Sequence, residues 1–199
     1  MQLTVISATT NPLHVINEAA GICYGKSDYS PKRVQRCIAN GHMSVVEHAA
    51  ASIRIEGISR ACLAQLTRHR MSSFSVKSQR YCRIGGDDWY VEPPEVEGNA
   101  SLNYVFSYGM GRCMDYYELM LANGAKPEDA RFILPEAAKT ECILTMNARS
   151  LDNFLRLRMD KAAQWEIRRL AESIQSSLRE VDEEWAALMD MLEEARKTE

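Results

Sequence analysis

The stretch RHRMSSFSVKSQRY, Arg68 to Tyr81, holds three arginines, one histidine and four serines in fourteen residues. The whole chain carries a formal net charge of -3, so cations this concentrated need a local reason. A helix C-terminus favours a cation through its dipole by about 0.3–1 kcal/mol, which accounts for any one of these arginines. It does not account for the cluster. Like charges repel unless an anion or carboxylates neutralise them, and the nearest downstream acids are Asp87 and Asp88. Guanidinium forks with serine hydroxyls and loop amides suit phosphate oxygens. Within QLTRHR, spacings of three and four put Gln65, Arg68 and His69 on one helical face and turn Arg70 away.

A second cluster is NARSLDNFLRLR, Asn147 to Arg158. With Ser150 as the cap, Leu151, Phe154, Leu155 and Arg158 fall at i, i+3, i+4 and i+7, which places Arg158 on the apolar stripe and Arg156 off it. An uncompensated buried guanidinium costs several kcal/mol, so Arg158 must meet either a structural carboxylate or an anionic ligand. Asn147, Arg149 and Asn153 beside it carry the amide and guanidinium chemistry that reads base edges and ribose. In GHMSVVEH the histidines His42 and His48 are six apart, which does not match the one-face spacing of a helical metal site. Arg131 in ARFILP reads by itself as a snorkelling surface arginine.

The elements that position these groups follow from periodicity and punctuation. VISATT (Val5 to Thr10) reads as a strand and LHVINEAAGICYG as a helix closed by Gly25. PKRVQRCIANGH reads as a helix with Pro31 in its first turn and Asn40-Gly41 as its stop. SIRIEGI alternates as a half-buried strand. Ser59 caps a helix that carries Cys62, Leu63 and Leu66 and runs into Arg68. Cys82 to Ala100 reads as a loop with one short strand at WYVEP, and the next helix runs to Asn123-Gly124. A short helix follows between Pro127 and Pro135, and from Ser150 the chain is mostly helical. There, Ile167, Ala171, Ile174, Leu178, Val181, Trp185, Leu188 and Leu192 keep the 3.5-residue period of a seam, either within a bundle or between subunits.

The chain has 199 residues, 46% of them hydrophobic, enough to bury a full core as one domain over 1–199 with a mainly helical part over 149–196. Six scattered cysteines without a C-x-x-C pair argue against a zinc ribbon or a dithiol centre, and most are expected to be small buried hydrophobes. The 24 basic and 27 acidic residues give no global field for nucleic acid. No apolar run reaches membrane-spanning length, and the start MQLTVISATTNP lacks a basic head and a long apolar stretch, so a cytoplasmic protein without metal, membrane or nucleic-acid partner is expected.

Taken in order, GHMSVVEH, QLTRHR with Ser78 and then Arg80-Tyr81, ARFILP, NARSLDNFLRLR and AQWEIR resemble the flavin-dependent thymidylate synthase family over essentially the whole chain. The family signature of Arg-His-Arg, seven residues and Ser is reproduced by Arg68-His69-Arg70 and Ser78. The resemblance implies reductive methylation of dUMP to dTMP, with methylenetetrahydrofolate as carbon donor, FAD as redox carrier and NADPH as reductant. It further implies a homotetramer with sites at subunit junctions, and an α+β fold in which an antiparallel sheet packs against long helices. By motif position, Ser44, Arg68, His69, Arg70, Asn147, Arg149 and Asn153 look like flavin contacts, with His42 near the flavin ring or folate. Gln65, Arg68, Ser78, Arg80 and Arg131 look like nucleotide contacts, Arg80 and Arg131 chiefly at the phosphate. Arg158 corresponds to the residue that polarises the uracil ring. One departure stands out: where the family carries Asn-Glu, this chain has Ser75-Val76. A diverged relative with altered or weak activity, and a non-enzymatic RNA- or nucleotide-binding module, are the alternatives. The acidic balance and the lack of interleaved aromatics count against the second.

Overall fold

The computed structural model describes residues 1–197. Strands β1 (Gln2–Ala8), β2 (Ala50–Ser59), β3 (Ser72–Val76) and β4 (Lys139–Asn147) form one antiparallel four-stranded sheet in the order β1-β2-β4-β3. The helices are α1 (Pro12–Tyr24), α2 (Pro31–Ala39), α3 (Arg60–Leu66), α4 (Pro94–Glu97), α5 (Ala100–Ala122), α6 (Pro127–Ala130), α7 (Ala148–Arg158), α8 (Trp165–Arg179) and α9 (Glu183–Lys197), with 3₁₀ turns over Met43–His48 and Arg131–Ile133. The architecture is the α+β fold expected from the sequence.

The chain divides into two compact units. Unit one is Met1–Ile55, Leu66–Ser75 and Ile143–Glu199; unit two is Glu56–Gln65 and Val76–Cys142. In unit one the sheet consists of β1, residues 50–55 of β2, 143–147 of β4 and 72–75 of β3. Ala51, Ile53 and Ile55 of β2 and Leu144 and Met146 of β4 are buried at every second position, the period a strand requires to hide one face. Ser52 and Thr145 share a 2.8 Å hydroxyl hydrogen bond across β2 and β4, fixing the register. Helix α8 packs against β1, α7 and α9, and α9 against α1 and α2.

Local punctuation acts as the sequence suggests at α1, which Gly25 ends in the left-handed conformation at φ 62°. Ser59 Oγ accepts from the Cys62 amide at 2.9 Å and opens α3. Two expectations are corrected. Helix α3 stops at Leu66, so Arg68, His69 and Arg70 lie in the turn beyond it, and helical face-sharing does not govern their directions. The α7 cap is Asn147, whose Oδ1 accepts from the Ser150 amide at 2.8 Å, so Ser150 is inside the helix. The C-terminal seam, which the sequence left open between a bundle and a subunit contact, runs over α8 and α9: Val181 between them is exposed, and the other seam residues are buried within unit one. The seam is therefore intramolecular.

In unit two, Tyr90 pairs with Ala138 as an isolated antiparallel bridge, which is all that forms of the strand expected at WYVEP. Of the cysteines, Cys37, Cys62 and Cys142 are buried and Cys23 is exposed, so half rather than most are core. Burial pushes the Cys142 thiol up to about 11, where it stays protonated and unreactive.

Candidate active site

The turn after α3 and the start of α7 meet in unit one around a cavity of about 780 Å³ lined by Arg68, His69, Arg70, Asn147, Arg149, Asn153 and Arg158, together with Glu47, Met71, Ser150 and Leu157. Two segments some eighty residues apart thus converge. β3 and β4 are neighbours in the sheet, so the turn leading into β3 and the helix leaving β4 emerge together. Arg70, expected to point elsewhere, lines the same cavity as Arg68 and His69.

The charge balance is one-sided. Arg149 Nη1 holds Glu47 Oε1 at 2.6 Å, which commits the only carboxylate among the lining residues. Arg68 and Arg70 form no ion pair with any described residue, and Asp88, near them in sequence, is instead bound by Lys139 within unit two. Two unneutralised guanidinium groups facing one cavity favour an anion there.

Arg158 is partly buried at the last turn of α7. Its Nε donates to His69 Nε2 at 3.0 Å, and the His69 ring meets buried Phe154 edge-on at 5.0 Å. Burial, and then the Arg158 charge, hold the His69 pKa below the ordinary histidine value. The buried acid of α7 is Asp152, which Arg196 Nη1 reaches at 2.5 Å and Arg156 Nη2 at 3.8 Å. This bridge ties the helix that carries Asn153 and Arg158 to α9.

The remaining candidates lie elsewhere. His42, exposed, lines a second cavity of unit one with Arg36 and Lys26, and Ser44 lines a third opening with His48 and Ile22. Gln65, Ser78, Arg80 and Arg131 belong to unit two. There Arg80 Nε and Nη2 each lie 3.0 Å from Glu128 Oε2, Arg131 Nε donates to the Glu128 carbonyl at 3.1 Å, and Ser78 Oγ accepts from the Arg80 amide at 3.2 Å. Glu47 and Glu128 are the residues that sequence reasoning missed, and no spacing signal announced either. Among the described residues no group of three or more His, Cys, Asp or Glu side chains could hold a metal ion, and no helix is long and apolar enough to cross a membrane.

An α+β fold whose sheet brings two arginine-bearing segments to one cavity has the donor chemistry that suits phosphorylated ligands. The family described as thymidylate synthase complementing protein matches residues 4–183. A flavin-dependent thymidylate synthase of Geobacter sulfurreducens is 40% identical over 183 residues, 86% of this chain and 79% of the relative. That of Pyrococcus furiosus is 36% identical over 186 residues, 86% and 76%. The flavin-dependent thymidylate synthase of Helicobacter pylori, solved with FAD and dUMP, superposes with a TM-score of 0.74 at 26% identity, covering 89% of this chain and 94% of that one. This chain belongs to the flavin-dependent thymidylate synthase family.

Proposed function

We infer that this chain is a flavin-dependent thymidylate synthase that binds FAD and methylates dUMP to dTMP. The observation that carries this reading is the cavity in which Arg68 and Arg70, without carboxylate partners, stand beside Arg158 and Asn153. Its donor chemistry fits FAD: the free guanidinium groups suit the diphosphate, and the amide of Asn153 suits ribose or ring edges. When bound, FAD supplies the redox equivalents of the reaction. We further propose methylenetetrahydrofolate as carbon donor, NADPH as reductant, residues 1–199 acting as one synthase domain, and a cytoplasmic location.

In this reading Arg68, His69, Arg70, Asn147, Arg149 and Asn153 hold the flavin, with Ser44 and His42 completing the flavin and folate side. Gln65, Ser78, Arg80 and Arg131 hold dUMP, Arg80 and Arg131 at its phosphate. With sites formed at subunit junctions, as in the proposed tetramer, Arg158 faces the uracil. A guanidinium half-withdrawn from water stabilises negative charge developing on the ring better than a solvated one does, which makes the ring carbon that takes the new methyl more nucleophilic.

A homotetramer is the proposed assembly. Supporting it, α5 spans 23 residues yet buries only Tyr117, and exposes Tyr104, Val105, Tyr108, Tyr116 and Leu119. An apolar helix surface of this extent suits contact with another copy. Sedimentation should give four times the 22.5 kDa of one chain.

The decisive experiment is direct. The purified protein should be yellow with releasable FAD, and should form dTMP from dUMP, methylenetetrahydrofolate and NADPH. Absence of dTMP with FAD bound would instead favour the diverged-relative reading, which the Ser75-Val76 departure supports. Arg158→Ala should keep flavin and lose turnover.

A further inference from the structure

A guanidinium nitrogen only donates hydrogen bonds. The 3.0 Å contact from Arg158 Nε to His69 Nε2 therefore requires a lone pair on Nε2, and a ring that is neutral with its proton on Nδ1. The ring plane is fixed from the same helix: Phe154, one turn before Arg158, meets it at 80° and is itself fully buried. The backbone holds the other side, where the His69 amide donates to the Leu66 carbonyl at 3.2 Å and Ser72 Oγ donates to the His69 carbonyl.

Among the charged groups around the ring, the arginines oppose a second proton on it, and the carboxylates are already paired. Arg158 touches it, and Arg68, Arg70 and Arg149 share its cavity. Glu47 is held by Arg149. Asp152 on α7 is held by Arg196 and Arg156.

We propose that His69 is a positioning residue: its neutral imidazole accepts from Arg158 Nε and so sets the orientation of that guanidinium toward the substrate. The proposal rests on the reading of Arg158 given above. An arginine side chain has about 2 kcal/mol of rotamer entropy to lose, and pinning Nε beforehand removes part of that from the chemical step, in which the ring gains charge. Protonation of Nε2 would turn the acceptor into a donor facing a cation. The bond would break and the Arg158 guanidinium, which can only donate, would be driven off its position.

The test uses the full chain loaded with FAD, and two variants. His69→Phe keeps the ring and its contact with Phe154 but offers no acceptor. His69→Gln places an amide oxygen near Nε2 and does not titrate. With dTMP formation measured per bound flavin from about pH 5 to about pH 8, His69→Phe should lose about tenfold or more in kcat with little change in the KM for dUMP. His69→Gln should recover most of that loss and lack the acidic limb of the parent profile. Unchanged kcat in His69→Phe, or an acidic limb that persists in His69→Gln, overturns the proposal.

A second readout needs no turnover and no variant fold. Side-chain ¹⁵N resonances of the flavin-free parent, assigned to His69 by their loss in His69→Gln or by through-bond correlation, should show a protonated Nδ1 and a bare Nε2 at neutral pH. A protonated Nε2 overturns the proposal. A parent that makes no dTMP defeats the functional reading instead, and the resonances then decide the His69 tautomer alone.

Discussion

Glu128 holds both Arg80 and Arg131, the first by its carboxylate at 3.0 Å and the second by its backbone carbonyl at 3.1 Å. Two arginines 51 positions apart in sequence thereby present themselves around one residue of unit two, as two groups sharing a phosphate must. Charge-assisted hydrogen bonds contribute about 1.5–3 kcal/mol each. Arg80→Ala should therefore weaken dUMP binding about tenfold or more while leaving bound FAD unchanged. Equilibrium titration with dUMP checks this, and an unaltered affinity removes Arg80 from the phosphate.

Asp152 is 5% exposed and carries the bridge to Arg196. Removing one partner of a buried pair leaves an uncompensated charge and costs about 3–5 kcal/mol. Asp152→Ala should lower stability by that order in a denaturant titration. The doubly substituted Asp152→Ala, Arg196→Met protein should regain part of the loss, because no charge is then left buried alone.

Gly21 lies in α1 where an added Cβ would collide with the Lys26 backbone carbonyl and stand 3.5 Å from Arg33 Nη1. That stretch of backbone cannot drift away, since the Lys26 amide is bonded back to the Gly21 carbonyl at 2.9 Å. Helix propensity favours Ala over Gly by about 1 kcal/mol, yet overpacking against backbone costs about 1–3 kcal/mol. Gly21→Ala should lower the melting temperature by several degrees; a rise would show that the turn yields.

Hydrogen bonds from Lys197 and Arg179 pull the Glu193 pKa down to about 2. A carboxylate depressed in the folded state contributes stability above its unfolded pKa of about 4.3, and that contribution is lost as pH falls from there toward the folded value. Glu193→Gln should be less stable than the parent at neutral pH, and the two denaturation curves should converge near pH 2. A gap of constant size across that range would contradict the ion pairs.

The helices whose ends carry Gly, Asn or Pro could be located from sequence: α1 stops at Gly25, α2 at Asn40 and α5 at Asn123. The cavity residues of both arginine segments could be named because their order is a family pattern. What escaped lacked a local signal. In β4 the inward positions include Thr140 while Ile143 faces out, so the alternation of polarity is blurred. β3 is a run of serines around Phe74, with little strand propensity of its own, and it takes its form from pairing with β4. The break before α9 has no Gly or Pro; its sign was Asp182, whose carboxylate accepts from the Trp185 amide at 2.7 Å. Glu47 meets Arg149 across 102 positions, a pairing that no window of sequence contains.

The sheet order has a consequence for synthesis. β4, made last, is the strand that separates β2 from β3, so while the ribosome is still producing residues 76–138 the segment after Arg70 has no partner to hydrogen-bond. The arginine turn must wait, unplaced, through that whole interval, and only the emergence of Lys139–Asn147 gives it a scaffold. Contacts of such long sequence separation close slowly, which makes this pairing the step at which a nascent chain is most open to capture by chaperones or to strand-edge aggregation.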